Sequence, residues 1–135
     1  MKKEYEEEIF KEFPTLFPNG RNVDPRKSLL NYGLCIDVGW KDLLVKLCKD
    51  ILKTENGDKV WFVQIKEKFG GLRAYIEGRV TRDIFNLTTE AEKESFNICE
   101  KCGEKGKLRQ DNESKKNPKR LFWIKTLCDK HFTME

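Results

Sequence analysis

Apolar positions along the chain fall into separate runs whose spacing changes from helical to strand-like and back. Tyr5, Ile9 and Phe13 recur at i, i+4 and i+8, with Phe10 beside them, which predicts a helix over residues 4–13. Glu4, Glu6, Glu7 and Glu8 occupy its first turns, where the helix dipole favours negative charge. Pro14 ends it, because the residue before a proline avoids the helical region. Phe17-Pro18-Asn19-Gly20 reads as a turn. Residues 20–38 read as a connecting segment whose Leu29, Leu30 and Tyr32 cover the core.

Trp40, Leu43, Leu44, Leu47 and Ile51 form the most regular apolar stripe and predict a helix over residues 40–52, with Asp37 as its N-cap. Asn56-Gly57-Asp58 is a turn signal. The β-formers of residues 60–65 and 72–76 flank Gly70-Gly71 and predict a hairpin with a loop longer than two residues. Alternation places Val63 and Ile65 with Ala74 and Ile76 on one face, and Gln64, Lys66, Arg73 and Tyr75 on the other. An isolated hairpin is barely stable, so the helices must pack on its apolar face. Ile84, Leu87, Ala91, Ser95 and Ile98 share one stripe of a third helix over residues 81–98. The polar stretch 104–120, which contains Pro118, reads as an exposed loop before Phe122, Trp123 and Ile124 return to the core.

Charge changes this picture only near the C-terminus. Residues 1–100 carry 17 basic and 18 acidic groups, whereas residues 101–135 carry 10 and 5. The local excess fits either a solvated basic loop or a surface for an anionic partner. No apolar run approaches the roughly 20 residues of a membrane helix, and no signal-peptide h-region follows Met1. The expectation is a cytoplasmic protein without a membrane partner. There is no internal period and no sustained heptad pattern.

Five cysteines without a secretion signal argue against a disulfide framework. Cys99-Glu100-Lys101-Cys102-Gly103 and Cys128-Asp129-Lys130-His131 instead form C-x2-C, 25 intervening residues, then C-x2-H. Two residues between ligands let a tight knuckle aim both donors at one ion, and Gly103 can supply the left-handed turn that follows. Zn²⁺ accepts such a Cys3His set tetrahedrally with no open position, so Cys99, Cys102, Cys128 and His131 are expected to hold a structural zinc ion. Cys48 borders an apolar stripe and reads as a buried small hydrophobe. With the one histidine committed, no catalytic cysteine is assigned.

The segment Gln64-Ile65-Lys66-Glu67-Lys68-Phe69-Gly70-Gly71-Leu72-Arg73-Ala74-Tyr75 interleaves cations with aromatic rings. Lys66, Lys68, Arg73 and Tyr75 are the candidate ligand-binding residues, since rings and cations together stack on bases or hold anions. The same pattern also suits a solvated sheet face protected by Lys and Arg. A basic surface built from these residues would extend onto Lys105, Lys107, Arg109, Lys115, Lys116, Lys119 and Arg120. Gly70-Gly71 lacks the spacing of a phosphate loop and fits turn geometry better.

These stretches, together with Gly39-Trp40 and Trp123-Ile124-Lys125-Thr126-Leu127-Cys128-Asp129-Lys130-His131, resemble a set of small uncharacterised proteins of phages, prophages and bacteria. The resemblance spans residues 39–131. It implies a phage-type accessory protein acting in a host cytoplasm. That set has no established activity, so it lends no catalytic residues. The cysteine half also resembles a treble clef, the scaffold of HNH nucleases, whose catalysis needs a histidine set that a chain with one His lacks.

The expected fold is α+β: three helices packed on a β-hairpin in residues 1–98, with a treble-clef or zinc-ribbon-like module in residues 99–135 packed on it. The expected function is non-catalytic binding of nucleic acid or a nucleotide. A protein-binding inhibitor of host machinery or host defence is the alternative, and an HNH-like nuclease the weakest reading.

Overall fold

The computed structural model describes residues 1–110 and 124–133. The expectations for Lys115, Lys116, Lys119, Arg120, Phe122 and Trp123 lie outside them. The fold is α+β, with four α-helices and two small sheets among the described residues. Helix α1 (Lys3–Glu12) is followed by strand β1 (Leu34–Cys35), helix α2 (Lys41–Leu52), strands β2 (Val60–Lys68) and β3 (Gly71–Gly78), and helix α3 (Arg82–Ser95). Strands β4 (Lys107–Gln110) and β5 (Ile124–Leu127) and helix α4 (Asp129–Thr133) complete it. None of these helices is long and apolar enough to cross a membrane.

The segment 20–38 is more than a connection. Leu34 pairs with Ile65 and Cys35 with Lys66, which adds β1 to the hairpin as a parallel third strand. A parallel neighbour needs a long crossover, and α2 lies within it. Leu30 is buried as expected, but Leu29 and Tyr32 are 41% and 67% exposed. A single tight turn over Leu30–Tyr32 can aim only one of these three side chains inward. Leu29 instead serves through its backbone, donating its N–H to Val63 O at 2.7 Å.

That bond marks a β-bulge. Phe62 pairs with Ile76 and Gln64 with Tyr75, so Val63 has no partner on β3. The extra residue shifts the alternation, and Phe62 rather than Val63 joins Ile65 in the core. Gln64, Lys66, Arg73 and Tyr75 keep the opposite face expected of them, since cross-strand partners share a side.

The hairpin loop is shorter than expected. Lys68 pairs with Gly71, leaving only Phe69 and Gly70 between the strands, at φ +53° and +85°. Two successive positive φ values are the geometry whose twist suits a two-residue hairpin. A phenylalanine in that region is unusual, so outside contacts must hold the tip.

The core lies between the sheet and the helices. Ile9, Leu44, Ile51, Phe62, Ile65 and Ile84 are essentially inaccessible, and Phe17 stacks between Phe10 and Phe62 with ring centroids 5.1 Å from each. Trp40 is fully buried, although it sits in a 3-10 turn (Val38–Trp40) just before α2 rather than inside the helix. Asp37 starts that turn by accepting the Val38 N–H at 2.8 Å. Helix α3 ends at Ser95, three residues earlier than its stripe suggested, and Ser95 Oγ accepts the Leu72 N–H of β3 at 2.9 Å. The helix thereby satisfies a donor on β3, one of the two outer strands of the sheet.

Candidate metal centre

Residues 97–106 fold back on themselves as a knuckle. Ile98 and Lys105 form a β-bridge, the Cys99 N–H donates to Glu104 O, and the Gly103 N–H donates to Cys99 O. Gly103 takes φ +83°, the left-handed turn anticipated after the first cysteine pair. Strands β4 and β5 then pair antiparallel, from Lys107–Leu127 to Gln110–Ile124. Cys128 follows β5 directly, and His131 lies on α4 one turn further on.

This geometry brings Cys99, Cys102, Cys128 and His131 together, with all four donor atoms within 4.8 Å of one another. Cys102 Sγ and Cys128 Sγ are 3.8 Å apart. His131 Nδ1 lies 3.6 Å from Cys99 Sγ and 3.2 Å from Cys128 Sγ. A tetrahedral ion bound by sulfur at about 2.3 Å and nitrogen at about 2.0–2.1 Å needs donor–donor edges of about 3.5–3.8 Å. Two of these distances match such edges and the Cys128–His131 distance is shorter, so the cluster is compatible with a metal site. The His131 backbone N–H, directed at Cys128, pulls that thiol down to about 6. Desolvation pushes the neighbouring Cys102 thiol the other way, up to about 11. Cys48 is fully buried, and desolvation pushes its thiol far above the ordinary range, as suits a packing residue.

The knuckle is bound to the rest of the molecule by a dense set of polar contacts. Trp40 Nε1 donates to Ile98 O at 2.8 Å, and the Gly39 N–H donates to Glu100 O at 2.6 Å. A Cβ on Gly39 would fall 2.1 Å from Cys99 O, so only glycine permits this approach. Glu100 is 7% exposed; its Oε2 accepts the Asp37 N–H at 3.1 Å, and its own N–H donates to Thr126 O. Burial holds the Glu100 carboxyl above the ordinary carboxylate range. On the other flank, Lys125 Nζ donates to Glu67 Oε1 at 2.7 Å, and Thr126 Oγ1 donates to Gly70 O at 2.6 Å. Glu67 Oε2 also accepts the Gly70 N–H at 2.7 Å. These contacts are what hold the unusual hairpin tip.

Residues far apart in the chain therefore converge on one seam. Gly39, Trp40, Glu67, Gly70, Glu100, Lys125 and Thr126 connect the knuckle to the α+β body. Charge and spacing gave no sign that Glu67 would meet Lys125, 58 positions away.

The basic candidates are only partly assembled. Lys66 pairs with Arg73 across the hairpin, on the same face as Tyr75, and Lys66 Nζ lies 5.8 Å from the Tyr75 ring centroid. Lys68 Nζ lies 5.7 Å from the Phe69 ring. Arg73 Nε sits 3.0 Å from Glu92 Oε1 on α3, an ion pair without aligned hydrogen-bond geometry. Arg109 differs from expectation: it donates to Leu127 O and Asp129 Oδ1 and lies 4.7 Å from the Phe132 ring. It clasps the strand before Cys128 instead of extending an open basic surface, whereas Lys105 and Lys107 are exposed. Sequence reasoning missed Trp61, which is 38% exposed, although strict alternation with buried Phe62 could have placed it outside.

No family model, no curated protein and no solved structure matches the chain.

Proposed function

We propose that the protein is a non-catalytic binding protein whose C-terminal quarter is held by a structural zinc ion. Three thiolates and one imidazole form a closed donor set, which favours zinc and leaves no position for substrate. The order of knuckle, antiparallel strand pair and short helix, with Cys128 just before the helix and His131 on it, suits a treble-clef-like module. A bound Zn²⁺ would contribute folding energy here.

The ligand we assign is anionic, a nucleic acid or nucleotide, and the function is that of a phage-type accessory protein. One observation carries this reading: the hairpin register sets Lys66, Lys68 and Arg73 on one side with Tyr75. Lys66 and Lys68 make no ion pair with a carboxylate among the described residues, so their charge is available to phosphate. The test is titration of wild-type and Lys66→Ala/Lys68→Ala protein with single-stranded and duplex oligonucleotides across a salt series. Each lost phosphate contact is expected to flatten the slope of log affinity against log salt by about 0.7–0.9. Absence of binding at about 50 mM salt, where electrostatic attraction is strong, would overturn the reading.

Exposed Tyr32, Phe69 and Phe85, at 67%, 48% and 60%, favour a second reading, an inhibitor that binds a host protein. Large exposed apolar side chains are where such interfaces concentrate their energy. An apolar interface of that kind would bind with little dependence on salt.

A further inference from the structure

The outer face of β2 and β3 does not stand open. The segment 18–29 runs beside it and leaves two clefts, of about 540 and 430 Å³. Arg26, Lys27, Ser28 and Glu77 line both, so the clefts are halves of one trough. Trp61 lines the first half and Tyr75 the second, each 38% exposed. The Trp61 ring is seated rather than loose: a Cβ on Gly78 would come within 2.8 Å of it, so the missing side chain at 78 makes its place.

The lining itself is balanced, with Arg26 and Lys27 against Asp24 and Glu77, and Lys66 beside the Tyr75 ring adds a further cation. Arg26 is held in position by Asp24, with contacts of 3.1 and 3.0 Å. Lys27 has no carboxylate partner among the described residues, and Lys66 stands over the Tyr75 ring. Glu77 is the other carboxylate of the lining besides Asp24. Two flat, half-exposed rings, with Lys27 and Lys66 as the nearby cations that pair with no carboxylate among the described residues, match the two needs of an unpaired polynucleotide, faces for its bases and counter-charge for its phosphates.

We infer that this trough is a binding site for single-stranded nucleic acid, with bases stacked on Trp61 and Tyr75 and the backbone following Lys27 and Lys66. The inference deepens the anionic-ligand reading and rests on it. A duplex keeps its bases stacked on each other and cannot offer them to the rings. The site therefore selects single strands, and it selects them through stacking rather than through base-edge hydrogen bonds.

The probe is a short fluorescein-labelled oligodeoxythymidylate, compared with an abasic phosphodiester strand of equal length and with a duplex, all read by anisotropy. Wild-type protein is expected to prefer the base-bearing single strand over both. Trp61→Ala and Tyr75→Ala should each weaken that binding by about 5- to 150-fold, the range for loss of one stacked base. Their salt slopes should stay at the wild-type value, because no phosphate contact is removed. Trp61→Phe, which keeps a ring, should retain most of the affinity; a loss equal to that of Trp61→Ala would overturn stacking. Equal binding of the abasic and base-bearing strands would also overturn the trough, while leaving the broader anionic reading in place. That comparison needs no variant, so it decides the matter even if a substitution unfolds the chain. Failure of folded wild-type protein to bind any of the three at about 50 mM salt, where electrostatic binding is strong, would overturn both readings and leave a protein partner.

Discussion

All 19 residues of the hydrophobic core cluster precede residue 92, from Ile9 to Ala91. Beyond residue 100, Leu127 is the one buried aliphatic side chain among the described residues. The two regions are thus held in different ways. The body buries apolar surface between α2, α3 and its sheet. The C-terminal region has two four-residue strands, a five-residue helix and almost no interior of its own. The cluster of Cys99, Cys102, Cys128 and His131, of which only Cys99 is buried, stands where its core would be, and polar contacts dock it to the body. In such an arrangement, losing the metal should melt one region and only loosen the other.

Metal removal is therefore the largest expected effect. Structural sites in finger peptides contribute roughly 10–16 kcal/mol of apparent binding free energy, which is folding energy where no preformed site exists. Stripping the metal with a strong chelator should lower the melting temperature. It should also bring amide exchange in residues 99–110 and 124–131 close to that of unfolded chain, while α2 and β2 stay protected. Elemental analysis of protein purified without added metal should find near one zinc per chain. Unchanged protection around Cys99 and Cys128 in metal-free protein would break the comparison, because the cluster would then be stable on packing alone.

The sequence made the two regions unequally legible. Helical periodicity located α1, α2 and α3 to within a few residues, because each has one apolar face turned to the core. The Cys and His spacing located the four clustered ligands, because that geometry is short-range. The parallel strand Leu34–Cys35 was not legible: two residues carry no period, and its partner is reached only through tertiary pairing. The bulge at Val63 is equally silent, since a run of β-formers looks the same with one extra residue. Glu6 shows the limit of charge patterns. It reads as one of four dipole-favoured acids, yet it is 2% exposed, ion-paired with Arg21 and accepting the Leu34 N–H at 3.0 Å. Charge alone does not separate it from exposed Glu7; its helical position does, three, four and seven residues before Ile9, Phe10 and Phe13.

Trp40 is the residue through which the body and the knuckle should feel one another most. Its indole is fully buried, and its Nε1–H is taken by Ile98 O, at the base of the knuckle. Trp40→Ala should cost about 3–5 kcal/mol in urea unfolding, the range for large aromatic truncations in a core. Trp40→Phe sharpens the test. It keeps an aromatic ring but leaves the Ile98 carbonyl without its donor, a loss worth about 1–3 kcal/mol if water cannot replace it. The Phe variant should also hold metal less tightly in a competition assay with a chromogenic chelator. A cost below about 1 kcal/mol for Trp40→Ala, far under the core range, would show that the two regions do not share this residue as a support.

The smallest effect is expected at the other end of the seam, where Lys125 meets Glu67 at the hairpin tip. Lys125 is 35% and Glu67 17% exposed at the side chain, so water competes for the pair. The coupling from a double-mutant cycle should be about 0.5–1 kcal/mol, the upper part of the range for accessible pairs. The single variants should nevertheless be unequal. Lys125→Ala removes the ion pair and the positive charge that draws the buried Glu100 carboxyl down. Glu67→Ala also removes the acceptor for the Gly70 N–H, next to the left-handed Phe69, and should cost about 1 kcal/mol more, the net worth of a typical hydrogen bond. Glu67→Gln keeps a side-chain oxygen for that N–H and should recover the difference. If Lys125→Ala proved as costly as Glu67→Ala, the tip would be held mainly by the C-terminal region. The contrast between a self-sufficient body and a dependent module would then be too sharp at this point.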